Sequence, residues 1–363
     1  MICRYQEEHS MKKFAVFSGF LGAGKTTLMM ALVKYCTEHC CMAAMISNDL
    51  GRGVMLADHK LALLSGCKAE QITDECICFC HDVLTERLNA LYVQGCGLVI
   101  SDIPGFGVGA LEHVYHGLTE SYSGQFELAP FTVVIEPHSV DRLCRGEAGD
   151  EGYILEAQLK EADLIVLNKC DLLEAQESIE QSLWLKIHFP QAEVLTVSAV
   201  TGKSIDALCM ALLKGSASLR HPDIDYDDED LQNAMDSLSE LFLQFRALVC
   251  CNDFDGNAYL TEIAAEIRQD LRMSGFDVPH FKLLAWSPDG DFGKADILGT
   301  DRPVELAHRF IRPCTDIAVI FNATAVCPDS ALNRSVWETV KRISEKYQLE
   351  ITVFKKDSIA LGD

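Results

Sequence analysis

The chain has 363 residues, with 31 Lys+Arg against 54 Asp+Glu and a formal net charge of −23 at pH 7. That balance argues against a binder of phosphate backbones, because nucleic-acid affinity comes largely from basic side chains displacing counterions. Hydrophobic residues, 48% of the total, are enough for a sizeable core and too many for a disordered chain.

Sixteen cysteines would suit a disulfide scaffold in a short secreted protein. In a chain of this length without an export signal they predict a reducing, cytoplasmic setting. The apolar stretch from Lys12 to Leu21 is cut at once by Gly22, Gly24 and Lys25, so it is not taken as a signal peptide. No apolar run approaches the ~18 residues that a membrane span requires, so neither a membrane nor a nucleic acid is an expected partner.

The first predicted elements are a buried strand at Phe14–Ser18 and a helix at Thr26–Lys34, separated by a glycine-rich turn. Further apolar runs follow at Met42–Ser47, Leu98–Asp102, Thr132–Glu136, Leu164–Asn168 and Val194–Ser198. Near-continuous apolar strands alternating with helix-length segments predict an α/β fold, a mostly parallel sheet covered on both faces. Ligands of such sheets sit at the carboxyl ends of the strands. Six acidic residues crowd into Asp223–Asp230, and this run is taken as a solvated linker. The expected organisation is a nucleotide domain at 12–217, a linker at 218–240 and a smaller α+β domain at 241–363. Within the last, strands are expected at Leu243–Cys250, Lys282–Trp286, Ile317–Ala323 and Glu350–Phe354, with helices at Ala258–Met273 and Ala331–Tyr347. That β-α-β-β-α-β order suits a ferredoxin-like sandwich.

Gly19-Phe-Leu-Gly22-Ala23-Gly24-Lys25-Thr26 fits the P-loop pattern G-x-x-x-x-G-K-[ST], placed between a strand and a helix. Its backbone N–H groups and the helix dipole face phosphate oxygens, Lys25 pairs with the β- and γ-phosphates, and the Thr26 hydroxyl ligates Mg²⁺. Gly202-Lys203-Ser204 lacks the first glycine, which is Val197 here, and is no second P-loop. Asp102-Ile-Pro-Gly105 ends a strand, as expected of a carboxylate that holds Mg²⁺ through water and a glycine that senses the γ-phosphate. Asn168-Lys169-Cys-Asp171 ends another. A carboxylate at Asp171 accepts from guanine N1–H and its 2-amino group, whereas adenine offers an acceptor and no 2-amino group. Asn168 contacts the base and ties loops together, Lys169 packs over the base plane, and Ser198-Ala199 supplies a last base contact. The expected ligand is GTP or GDP with Mg²⁺.

Gly19–Thr27, Asn48-Asp49-Leu50-Gly51, the cysteines of Cys76–Cys80, Asp102–Gly105 and Asn168–Asp171 together resemble the CobW-like metallochaperone GTPases, relatives of the GTPases that insert nickel into urease and hydrogenase. The resemblance covers residues 12–205. It implies a SIMIBI-type P-loop fold, GTP hydrolysis, a transition-metal or metal-cofactor cargo and a dimer governed by nucleotide. Asp49 stands where the family usually has Glu, and Cys76-Ile-Cys78-Phe-Cys80 stands where it usually has Cys-x-Cys-Cys.

Thiolates at Cys76, Cys78 and Cys80 suit zinc, cobalt, copper(I) or iron–sulfur chemistry, with zinc or cobalt the expected metal. On a straight strand the outer pair would lie ~13 Å apart, too far for bonds of ~2.3 Å to one ion, so a single metal needs a bent loop or another ligand, such as the following His81 or Asp82. Cys36 and Cys40, four apart on a helix, and Cys250, Cys251, Cys314 and Cys327 are expected to be core residues. His113 and His116 are expected on a helix surface. Asp253-Phe-Asp255-Gly-Asn257 begins like a calcium loop but has Ala258 at the sixth position, where such a loop requires glycine.

The expected function is a slow GTPase, with Lys25, Asp49 and Asp102 as catalytic residues, coupling nucleotide state to the holding and delivery of a metal to a client metalloenzyme or cobalamin-related protein. Two other readings remain open: a GTPase that gates or reactivates a cobalamin enzyme with structural cysteines, and a scaffold ordered by GTP without hydrolysis.

Overall fold

The computed structural model describes residues 12–361 except 123, 251 and 300; Cys251 therefore lies outside the described residues. The chain divides into two units, the first formed by residues up to Leu50 and by Ser65–Gln232, the second by Gly51–Leu64 and from Asn233 onward.

The first unit is built on strands β1 (Lys13–Ser18), β2 (Ala43–Asn48), β3 (Ala69–Ile72), β4 (Leu98–Asp102), β5 (Glu127–Leu128), β6 (Thr132–Ile135), β7 (Leu164–Leu167) and β8 (Glu193–Thr196). Their order is β3-β2-β4-β1-β6-β7-β8, with β5 also on β1, and every pairing is parallel. β1, β2, β4, β6 and β7 are buried along their whole length, which is why they are legible as unbroken apolar runs. Lys13 is the exception in kind: its buried ammonium donates to the Gly215 carbonyl at 2.7 Å and pairs with Glu127 at 3.0 Å. The first helix runs from Lys25 to His39, five residues beyond the expected Lys34. Cys36 on it is buried, whereas Cys40 is half-buried.

The expected linker at 218–240 is not a free connector. Ser218 bonds Asp163, Arg220 donates to the Lys160 and Ala162 carbonyls, and the Tyr226 hydroxyl donates to Glu161 at 3.1 Å. Tyr226 and the buried Leu231, interspersed among the carboxylates, give this acidic segment side chains that anchor. It is a strap on the first unit through Gln232, and a helix at Glu229–Asp236 carries the chain into the second.

The second unit contains β9 (Leu238–Val249), β10 (Asp277–Trp286), β11 (Phe292–Ile297), β12 (Glu305–His308), β13 (Asp316–Val326) and β14 (Leu349–Ala360). The sheet order is β12-β11-β10-β13-β9-β14, with all pairs antiparallel. Helices Gly256–Met273 and Asp329–Lys346 complete a β-α-β-β-α-β order, into which the β11–β12 pair is inserted at one edge. Asp255 caps the first of these helices, accepting from Asn257 and Ala258 N–H at 2.8 and 3.1 Å; the calcium-like sequence is a helix start. The core includes Phe245, Tyr259, Ile263, Phe281, Phe321 and Val340. Residues 51–64 belong here too, through Lys282 to Asp58 at 2.5 Å, Gln244 to the Met55 carbonyl at 2.7 Å, and Val54 and Leu56 packed with Phe242.

Phe321 is fully buried, its ring centroid 5.1 Å from that of Phe281. Phe321→Ala should lower the unfolding free energy by about 3–5 kcal/mol, seen as a fall in urea midpoint. A loss below about 1 kcal/mol would contradict this packing.

Candidate functional site: a phosphate loop beside a cysteine loop

The carboxyl ends of β1, β2, β4, β7 and β8 carry the sequence-predicted residues. Gly19 and Gly24 have φ of 131° and 91°, conformations that L side chains rarely adopt. A Cβ on Gly19 would lie 2.1 Å from the Val134 carbonyl oxygen, and one on Gly24 would lie 2.6 Å from Asn168 Nδ2. The loop therefore hugs its neighbours as it enters the Lys25–His39 helix, and a helix N-terminus is a ready anion site. Lys25 Nζ donates to the Gly19 carbonyl across the loop. Thr26 is buried and Thr27 exposed.

Asn168 ties three loops together. Its Nδ2 donates to the Ala23 carbonyl at 3.0 Å, and its Oδ1 accepts from Ala199 N–H at 3.2 Å. Lys169, at φ 57°, lays its stem toward the phosphate loop, with Nζ on the Gly22 carbonyl at 2.7 Å and on Glu136 at 2.6 Å. Asp171 is exposed, and one of its oxygens accepts from the Ser198 hydroxyl at 2.5 Å, which fixes its direction. The arrangement fits a guanine nucleotide: a cradle closed to side chains, a lysine at the phosphate end and an oriented carboxylate at the base end. Glu136, which holds Lys169, was not singled out by sequence reasoning because a lone Glu at a strand end carries no motif.

Asn48 joins the strand-end carboxylate to the cysteines. Its backbone N–H donates to Asp102 Oδ1 at 2.9 Å. Its Nδ2 donates to the Ile72 and Glu75 carbonyls at 3.2 and 2.8 Å, and its Oδ1 accepts from Ile77 N–H at 2.9 Å. Asp49 follows directly, its carboxylate accepting from Leu50 N–H at 2.9 Å.

Residues 77–79 form a turn rather than a strand, the bend that a single metal requires. Cys76 and Cys78 sulfurs lie 3.0 Å apart, and Cys78 N–H points at Cys76 Sγ at 3.4 Å. This shared hydrogen bond holds the Cys76 thiol below its usual range and Cys78 above it. Cys80 is turned away: its thiol donates to the Cys76 carbonyl at 3.4 Å, and burial pushes it up to about 11. The structure thus brings two of the three cysteines together. His113 faces this loop, its ring 5.8 Å from that of Phe79.

Helix Asp150–Glu161 grips the segment after Asp102. Gln158 donates to the Gly105 and Gly107 carbonyls at 3.1 and 2.9 Å. Glu161, fully buried, accepts from Leu111 N–H at 3.4 Å and from Tyr226. Burial pushes its carboxyl up to about 8, against the opposing pull of Tyr226, the Leu111 and Gly109 N–H groups and the Arg220 guanidinium. Sequence reasoning had no signal for either residue.

The family model described as "CobW/HypB/UreG, nucleotide-binding domain" matches residues 13–194, half of the chain. The chain belongs to this family. Zinc-regulated GTPase metalloprotein activator 1 of Schizosaccharomyces pombe is 24% identical over 189 residues, 48% of this chain and 43% of that protein. GTPase Obg 2 of Anaplasma marginale is 30% identical over 187 residues, 48% and 52% of the two chains. The chain spans about half the length of the curated relatives it matches. Among solved structures, HypB from Helicobacter pylori in complex with nickel is similar at 18% identity, covering 56% of this chain and 86% of that one, TM-score 0.40. Zn(II)-bound YjiA GTPase from E. coli is similar at 15% identity, covering 91% and 99%, TM-score 0.39. Among the described residues, no helix is long and apolar enough to cross a membrane.

The raised Glu161 carboxyl sets a pH dependence. Between its ordinary value of 4.5 and about 8 the folded state holds a proton that the unfolded chain has lost, so stability falls as pH rises through that window and levels off above it. Glu161→Gln should remove this component, so that urea midpoints at pH 5 and pH 8.5 converge relative to the parent. An unchanged difference would mean that Glu161 is ionised in the fold.

Proposed function

We propose that this protein is a GTP-hydrolysing metallochaperone in which nucleotide state governs how the Cys76–Cys80 loop holds a transition-metal ion. The observation that carries the reading is Asn48, whose backbone bonds Asp102 while its side chain clamps Glu75 and Ile77. A shift of Asp102 on exchange of GTP for GDP reaches the thiolates through one residue.

Gly19, Gly22, Ala23, Gly24, Thr26, Thr27 and Gly105 surround the phosphates in this reading, and Asn168, Lys169, Asp171, Ser198 and Ala199 surround the base. Lys25 releases the Gly19 carbonyl and places its charge on the phosphoryl group being transferred. Thr26, Asp49 and Asp102 would hold Mg²⁺, which would supply charge neutralisation at the phosphate oxygens. Asp49 also orients the attacking water. No arginine or glutamine has an obvious catalytic place in the phosphate loop, so unaided turnover is slow and a client or a nucleotide-dependent homodimer accelerates it. Cys76 and Cys78 are the first two ligands of the cargo, zinc or cobalt; Cys80 joins by rotating off the Cys76 carbonyl. The client is a metalloenzyme or a cobalamin-related protein in the cytoplasm.

Two substitutions test the nucleotide half. Asp171→Asn presents an amide donor to the donor edge of guanine, so GTP affinity should fall at least about 100-fold relative to the parent while xanthosine triphosphate is favoured; equal affinity of the parent for ATP and GTP would refute the guanine site. Lys25→Ala should abolish measurable phosphate release and weaken GTP binding, and turnover within about twofold of the parent would refute the role of Lys25.

A further inference from the structure

Glu112 and His116 sit four residues apart on the π-helical turn Leu111–His116, and His221 comes to them from the strap 105 residues after His116. Glu112 Oε2 lies 3.0 Å from His221 Nδ1 and 3.8 Å from His116 Nε2. One ligand atom from each of the three lies within 4.8 Å of the other two. We infer that Glu112, His116 and His221 form a second divalent transition-metal site, chemically distinct from the thiolate loop.

Zinc binds imidazole nitrogen and carboxylate oxygen at about 2.0–2.1 Å, which for a tetrahedral ion makes neighbouring ligand atoms about 3.3 Å apart. The observed 3.0 and 3.8 Å from Glu112 bracket that edge and the two imidazole nitrogens lie within 4.8 Å of each other, so rotation of the histidine rings out of their stack would admit an ion. Two imidazoles and one carboxylate form a set of intermediate softness that favours zinc, nickel or cobalt over magnesium or calcium. Three protein ligands leave a coordination position open, as a site that exchanges its metal requires.

The site is held in place without a metal. The two imidazole rings stack 4.5 Å apart at 15°. His221 is flanked by anchors: Arg220 on the Lys160 and Ala162 carbonyls, Ser218 on Asp163, and Tyr226 on Glu161. His116 Nε2 also faces the Arg220 carbonyl at 3.4 Å. π-helical turns inside helices recur at functional sites. Here the turn directs His113 to Phe79 of the cysteine loop and Glu112 with His116 to the strap. The neighbours His113 and His116, three apart in sequence, are thereby directed to different partners.

The site stands on geometry independent of the thiolate cargo reading, and its test separates the two. Co(II) is titrated anaerobically into the full chain carrying Cys76→Ser, Cys78→Ser and Cys80→Ser, with metal per chain measured after gel filtration. The expected result is one Co(II) per chain with visible d–d bands and no sulfur-to-cobalt charge-transfer band in the near ultraviolet. Adding His221→Ala, whose side chain is 75% exposed and whose loss should leave folding intact by circular dichroism, should weaken Co(II) and Zn(II) binding at least about tenfold. Glu112→Gln should do the same. Stoichiometric binding unaffected by His221→Ala, a charge-transfer band from other cysteines, or no binding at all would each overturn the site.

Discussion

A buried carboxamide is costly to leave unpaired, and each of its groups must find a partner wherever the chain places it. Asn48 and Asn168 are 3% and 1% exposed; Asn168 meets that demand by bonding to loops, and Asn48 by bonding to the end of β3 and to the cysteine loop. Asn168 fastens the glycine-rich loop after β1 to the loops after β7 and β8, and Asn48 fastens the cysteine loop to the strand carrying Asp102. The rigid parallel sheet holds these two side chains at the ends of β7 and β2. Loops made of glycine, cysteine and polar residues, with little core of their own, take their shape from those bonds.

This constraint explains why the candidate nucleotide loop was legible in the sequence and the shape of the cysteine loop only partly so. A phosphate loop is local: its glycines and lysine lie within eight consecutive residues, and its positive φ angles are encoded by residue type. The strands β1, β2, β4, β6 and β7 are unbroken apolar runs because both faces are covered. β3, Ala-Glu-Gln-Ile at the sheet edge, lacks that signature and was missed, as were β11 and β12. The cysteine loop was visible as composition, but which thiols converge depends on a turn that no spacing rule specifies. Cys80 is bonded to a carbonyl because the chain enters the His81–Val93 helix at that residue.

The non-local features were hidden for a plainer reason. Glu112 and His221 meet across 109 residues, and no periodicity connects them. The strap carrying His221 looked like a solvated linker because its charge is conspicuous and its anchors, Arg220 and Tyr226, are scattered singly. Residues 51–64, which follow Asp49, contribute Val54, Leu56 and Asp58 to the second unit, so its first segment lies far upstream of the acidic run used to mark the boundary. The segment after β2 that carries Asp49 is thus continuous in the chain with the second unit.

The central claim is that phosphate state and thiolate geometry are one equilibrium, and linkage makes it measurable from either side. Zinc affinity of the anaerobic chain carrying His221→Ala, which isolates the thiolate loop, is compared with GDP, with a non-hydrolysable GTP analogue and without nucleotide; the analogue's affinity is then measured with and without zinc. The account predicts a difference of about tenfold or more between the GDP and GTP-analogue states, and the same factor in the reciprocal titration. Identical zinc affinities in all three nucleotide states would contradict it.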